Sequence, residues 1–128
     1  MLRSKVRLVL FCTALTLTVS CAWFRDFDFA EGRRRTGGNP EIGRERIKQY
    51  ACHSCHTIPG IPGSGTQAPS LAHWPKRAVF ADQFRNTPEN LMSWIQNPKK
   101  MKPRTSMPNL GVTGEDSRHM AAYLYSVR

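Results

Sequence analysis

Cys52-His53-Ser54-Cys55-His56 puts two thiols on one turn of backbone with an imidazole directly after them. This spacing is the pattern that attaches a c-type haem. Cys52 and Cys55 can form thioethers with the two vinyl groups on one haem edge, and His56 can swing its ring under the iron. A chain that carries such a group has to fold around it. Two other chemistries use Cys-x-x-Cys: a thioredoxin-like dithiol, and half of a zinc site completed by histidines such as His53, His73 or His119. The first should lie between a strand and a helix in a βαβ setting, whereas this motif follows a helical pattern and precedes a loop rich in Gly and Pro. The second would normally show another ligand pair at close spacing, and the sequence has none.

The N-terminus reads as an export signal over residues 1–20. Arg3, Lys5 and Arg7 form a charged start, and Leu8 to Val19 an apolar core. Leu17-Thr18-Val19-Ser20-Cys21 resembles a bacterial lipobox, with Thr18 where Leu, Val or Ile is usual. Cys21 is then the lipidated new N-terminus. An uncleaved anchor is the rival, since the uncharged run from Leu8 to Phe24 is at the short end for a membrane span; a soluble exported form comes third. All three readings put the domain outside the cytoplasm. With Cys12 inside the signal and Cys21 at its end, only Cys52 and Cys55 remain for the exported part, too few for a disulfide scaffold. Residues 21–39 mix Trp23, Phe24, Phe27 and Phe29 with charge, then run Arg33-Arg34-Arg35 and Gly37-Gly38 without a periodic apolar face, and are expected to be a tether. Residues 40–128 then make one small domain. Its apolar core is limited, and a buried haem would supply much of what it lacks.

Helix signals dominate that domain, so the fold class is all-α. Asn39-Pro40-Glu41 offers a cap, a first-turn proline and an acid, after which Gly43, Ile47 and Tyr50 share a face. Thr87-Pro88-Glu89 starts a second helix with Leu91, Trp94 and Ile95 at i, i+3, i+4, and Asn97-Pro98 stops it. Thr113 caps a third, with Asp116 at the capping-box position and Met120, Tyr123, Leu124 and Val127 as its stripe. From Thr57 to Pro75, prolines and glycines alternate with small residues, suited to a loop wrapped over a flat ligand. Three main helices and loops around one cofactor is the expected architecture.

If the iron is to carry electrons and not bind substrate, it needs a sixth ligand. Met120 lies on the apolar stripe and Met92 reads as core, which leaves Met101 and Met107.

The segment from Asn97 through Pro98, Lys99, Lys100, Met101, Lys102, Pro103, Arg104, Thr105 and Ser106 to Met107 resembles the methionine-ligand loop of class I cytochromes c, which runs Asn-Pro, a few residues, Pro-Gly-Thr, one residue, Met. Gly43, Ile47 and Cys52 match the family's first helix, and Ala122-Tyr123-Leu124 its last, where the tyrosine packs near the early glycine. The resemblance covers nearly all of residues 40–128. It implies the small class I cytochrome c fold, a single haem c held by Cys52 and Cys55, and His56 and Met107 as axial ligands. It also implies a proline carbonyl, here that of Pro69, on the His56 imidazole. The stretch from Asn86 to Ile95 is similar to the cytochrome c domains of haem-copper oxidase subunit II, which would lay Trp94 against the haem; an ordinary core tryptophan fits that position equally. Arg104 stands where the family usually has glycine, so the turn before Met107 either holds an arginine in an unusual conformation or is shaped differently.

The expected role is outer-sphere one-electron transfer, with no catalytic residue and no substrate of its own. The chain carries a net charge of +10. From Pro40 onward 12 Lys and Arg stand against 6 Asp and Glu. Lys99, Lys100, Lys102 and Arg104 flank the methionine loop, which suggests docking to redox partners with acidic surfaces: an oxidase, a quinol-oxidising complex or a dehydrogenase. The protein would work on the outer, periplasmic side of the membrane, anchored through its N-terminal lipid or span. Nucleic acid is not an expected partner. Two other classes stay open at this point: a fixed electron-entry subunit of a larger enzyme, and a five-coordinate haem sensor or peroxidase-like protein.

Overall fold

The computed structural model describes residues 26–63 and 65–128. The expected export signal, Cys21 and the first part of the expected tether lie outside them. No helix among the described residues is long and apolar enough to cross a membrane.

The three expected helices form where their caps place them. Helix α2, Pro40–Gln49, starts at Asn39, whose side chain accepts the backbone N–H groups of Glu41 and Ile42. Helix α3, Pro88–Gln96, starts at Thr87, whose hydroxyl accepts from Asn90 N–H. Helix α5, Gly114–Ser126, starts at Thr113, which accepts from Asp116 N–H. A single turn, α4 (Pro98–Met101), follows α3 directly, capped by the Asn97 side chain. An antiparallel hairpin, β1 (Val79–Phe80) and β2 (Phe84–Arg85), precedes α3. The described fold is therefore all-α apart from this one small hairpin.

Helix α5 is the axis of the domain. Met120 and every residue after it to Val127 are buried. Helix α2 crosses it at Gly43, where an added Cβ would stand 1.9 Å from the His119 carbonyl oxygen. Only a residue without a side chain permits that approach. The crossing lies one turn before Tyr123, whose hydroxyl instead donates to Pro59 O at 2.6 Å. Asp116 does not close a reciprocal capping box; its carboxylate accepts from Tyr50 Oη at 2.9 Å and faces Arg46 Nε at 2.7 Å, pinning α2 to α5.

The expectation of a tether up to Asn39 fails over Phe27–Thr36. Phe27 bridges to Val127, Asp28 N–H donates to Ser126 O at 2.7 Å, and helix α1 (Phe29–Thr36) follows. Asp28 caps α1 by accepting from Glu31 N–H, and Gly37 ends it in the left-handed conformation. The helix lies on α5 through Gly32, where a Cβ would come within 2.1 Å of Ala122 O. The arginine run is also engaged within the chain: Arg33 pairs with Glu41, Arg34 and Arg35 with Glu31, and Arg35 stacks over Tyr125.

A second cluster joins the loop to α3. Trp74, Phe80, Phe84 and Trp94 pack with ring centroids 5.5–5.9 Å apart. Trp94 is thus a buried member of an aromatic core.

Candidate functional site

Helix α2 ends at Gln49, and Ala51, at φ 54°, turns the chain sharply into a short 3₁₀ turn over Cys52–Ser54. His56 N–H and Cys55 N–H both donate to Cys52 O, at 2.9 and 3.2 Å, which holds the two thiols and the imidazole on one tight coil. The loop that follows folds back over it. Gly65 lies so close that a Cβ would meet the Cys55 and His56 backbone at 2.5–2.7 Å, and Thr57 Oγ1 donates to Gly65 O at 3.0 Å. Ala68 N–H then donates to Cys55 O, and Leu71 N–H to Thr57 O. These two bonds bracket Pro69.

The Pro69 carbonyl oxygen consequently stands 2.7 Å from His56 Nδ1. A carbonyl only accepts, so Nδ1 is the donor in this contact and Nε2 is the nitrogen left to coordinate. This is the arrangement a metal-ligating histidine uses: one nitrogen anchored to protein, the other free to coordinate. Arg77 secures the same stretch from the far side, donating to Ser70 O and to Ala72 O and lying over the Trp74 ring.

The thiols fit covalent attachment better than dithiol or zinc chemistry. Burial pushes the Cys52 thiol up to about 11, with the neighbouring Cys55 adding to the rise. A reactive redox cysteine needs the opposite shift. Among the described residues no group of three His, Cys, Asp or Glu side chains could hold a metal. Trp74 Nε1 is buried without a hydrogen-bond partner of ordinary geometry, although the indole lies close to Tyr125, whose hydroxyl burial pushes up to about 12. A haem carries two propionates, acceptors of the kind this donor lacks. The donor set and this orphaned donor both fit a covalently held haem.

Met107 lies between α4 and α5, half-buried and packed against the core, in a nonhelical stretch. Its N–H donates to Thr105 Oγ1 at 3.3 Å. The turn before it closes through Thr105 N–H to Lys102 O at 2.9 Å, and Arg104 is not among the residues with positive φ. The position that usually holds glycine is therefore accommodated by a differently shaped turn, with no strain at the arginine. Met101 is half-buried at the end of α4, and Met120 is core.

The four basic residues of this segment do not behave alike. Lys99 Nζ donates to Thr105 O at 2.7 Å, and Lys102 Nζ to Ala81 O at 3.0 Å. Both ammonium groups face their own chain. Lys99, Lys100 and Arg104 are exposed, and Lys102 is half-buried.

The roles of Trp74, Arg77 and Lys102 were not read from the sequence. A tryptophan and an arginine three residues apart inside a Gly/Pro loop were the available signal for the first two, since such a loop offers neither a helical face to fill.

A family model described as cytochrome c matches residues 41–128. The cytochrome c oxidase subunit 2 of Alkalihalophilus pseudofirmus is 33% identical over 88 residues, covering 67% of this chain and 25% of that protein. That of Bacillus subtilis is 29% identical over 86 residues, covering 65% and 24%. The chain spans about a quarter of the length of these curated relatives. Helix α1 lies before the first residue that the family model matches.

Proposed function

Because the chain belongs to the cytochrome c family, we propose that it is a monohaem electron carrier working on the outer side of the bacterial cytoplasmic membrane, between a respiratory donor complex and an oxidase. The observation that carries this reading is the His56 Nδ1 to Pro69 O contact of 2.7 Å, which fixes the tautomer and aim of the proximal ligand. Haem bound at Cys52 and Cys55 supplies a one-electron Fe(III)/Fe(II) couple whose potential His/Met ligation raises.

The chain's own residues do the rest. Cys52 and Cys55 would hold the haem covalently through thioethers, and His56 and Met107 would be the residues that ligate its iron. Filling both axial positions leaves no place for a substrate, which favours a carrier over a sensor or peroxidase. Of the basic residues flanking the methionine loop, Lys99, Lys100 and Arg104 are exposed to an acidic partner, whereas Lys102 is half-buried and tied to Ala81 and Asp82. Cys21 is the lipid anchor in this reading.

Carbon monoxide tests it. The reduced protein, carrying its haem, should show a six-coordinate low-spin spectrum that ignores carbon monoxide. A spectrum that shifts on exposure would favour an open sixth position and overturn the carrier reading. The name of the relatives, oxidase subunit 2, favours a second reading in which the domain is a fixed electron-entry subunit of an oxidase. Membrane extraction at high salt separates the two: a fixed subunit stays with the oxidase, whereas a carrier leaves it.

A further inference from the structure

We propose that Lys102 is a positioning residue for Met107, a clamp that ties the methionine loop to the β1–β2 hairpin; this rests on the reading of Met107 as axial ligand. Lys102 sits at the junction of four hydrogen bonds. Its N–H donates to Pro98 O at 2.8 Å, its carbonyl accepts Thr105 N–H at 2.9 Å, and its ammonium donates to Ala81 O at 3.0 Å with Asp82 Oδ2 at 3.1 Å. Thr105 in turn accepts Met107 N–H, and Lys99 Nζ holds the Thr105 carbonyl. Lys102, Thr105 and Met107 thus form one continuous tie.

The far end of the tie is a poised element. The hairpin turns through Ala81 at φ 47° and Asp82 at φ 68°, two non-glycine residues in the left-handed region, closed by Gln83 N–H on Phe80 O. Asp82 is a residue such a turn favours, but Ala81 stands where glycine or asparagine would be usual. A charge-assisted bond to the Ala81 carbonyl offsets that cost and fastens the turn to the loop. Phe80 and Phe84 anchor the hairpin in the Trp94 cluster, so the clamp connects Met107 to rigid core. The ion pair contributes little, because Asp82 is 95% exposed; the carbonyl is the partner that matters.

The test measures displacement of Met107 by added imidazole in the ferric, haem-loaded protein. Lys102→Met should bind imidazole about tenfold more tightly than wild type, the size expected when one charge-assisted hydrogen bond holding the loop is lost. Lys102→Arg and Asp82→Asn should stay within about twofold, as should Lys76→Met, which removes the same charge elsewhere on the surface. The clamp is refuted if Lys102→Met binds imidazole like wild type, or if Lys76→Met or Asp82→Asn tightens binding as much. Should Lys102→Met yield no holoprotein, ammonium proton exchange in the wild type decides: slower at Lys102 than at Lys100 is expected, and equal rates would overturn the tie. A wild-type ferric spectrum lacking the methionine signature would overturn the Met107 reading itself, and the clamp with it.

Discussion

His56 is oriented by an atom that belongs to no side chain. The partner of Nδ1 is the Pro69 carbonyl, so Pro69→Ala retains the acceptor. The haem spectrum of that variant should be unchanged and its stability lower by less than about 1 kcal/mol, from the freer unfolded chain. Arg77→Ala is the more disruptive change, because the guanidinium holds the carbonyls of Ser70 and Ala72. It should cost about 1–3 kcal/mol in thermal unfolding, the range for hydrogen bonds to charged groups and the acceptors left behind. The same distinction explains what could be read in advance. Cys52, Cys55 and His56 announce themselves because their chemistry depends on spacing along the chain. Met107 was one of two methionines left by position along the chain, and resemblance to a family chose between them and supplied Pro69. Arg77 and Lys102 were not, because each acts on backbone oxygens that residue identity does not reveal.

Helices α2, α3 and α5 were legible because each combines a cap with a stripe of apolar side chains at helical spacing. Helix α1 shows neither an apolar stripe nor a hydrophobic run. Its closest approach to α5 is a glycine against backbone, Gly32 on Ala122 O, and a pattern of side chains cannot display a face made by the absence of one. The hairpin was hidden for a related reason: its strands have two residues each, and its turn uses Ala81 and Asp82 in place of glycine. Gly32→Val should lift α1 from α5 at a cost of about 1–3 kcal/mol, the range for overpacking, read as a lower melting temperature with the haem spectrum intact. The α2–α5 junction has its own signature in acid. Burial disfavours the Asp116 carboxylate, but hydrogen bonds from Tyr50 and Thr113 and the Arg46 charge outweigh it, and its pKa lies below the usual carboxylate value. A folded-state value below the unfolded one stabilises the fold fully above about pH 4, and that contribution is lost as pH falls through the folded value. Asp116→Asn should therefore lose stability at neutral pH and show a shallower acid decline, measured by thermal unfolding from pH 2 to 7.

At the scale of the whole molecule, a basic domain meets its partner through whatever cations the fold leaves free. Electron-transfer rates to an acidic partner should fall as ionic strength rises, and Lys100→Met should flatten that dependence more than Lys102→Met. Equal effects of the two substitutions would mean that Lys102 also faces the partner. The central claim is that Cys52, Cys55, His56 and Met107 make a closed, six-coordinate haem site. Spectra and potentials of the oxidised and reduced protein, with Met107 intact and as Met107→Ala, test it most directly. Intact protein should show the low-spin methionine signature. The variant should lose it, bind carbon monoxide when reduced, and fall in potential by on the order of 0.1 V, within the roughly 0.8 V that axial ligands span. A methionine signature that survives Met107→Ala would contradict the account.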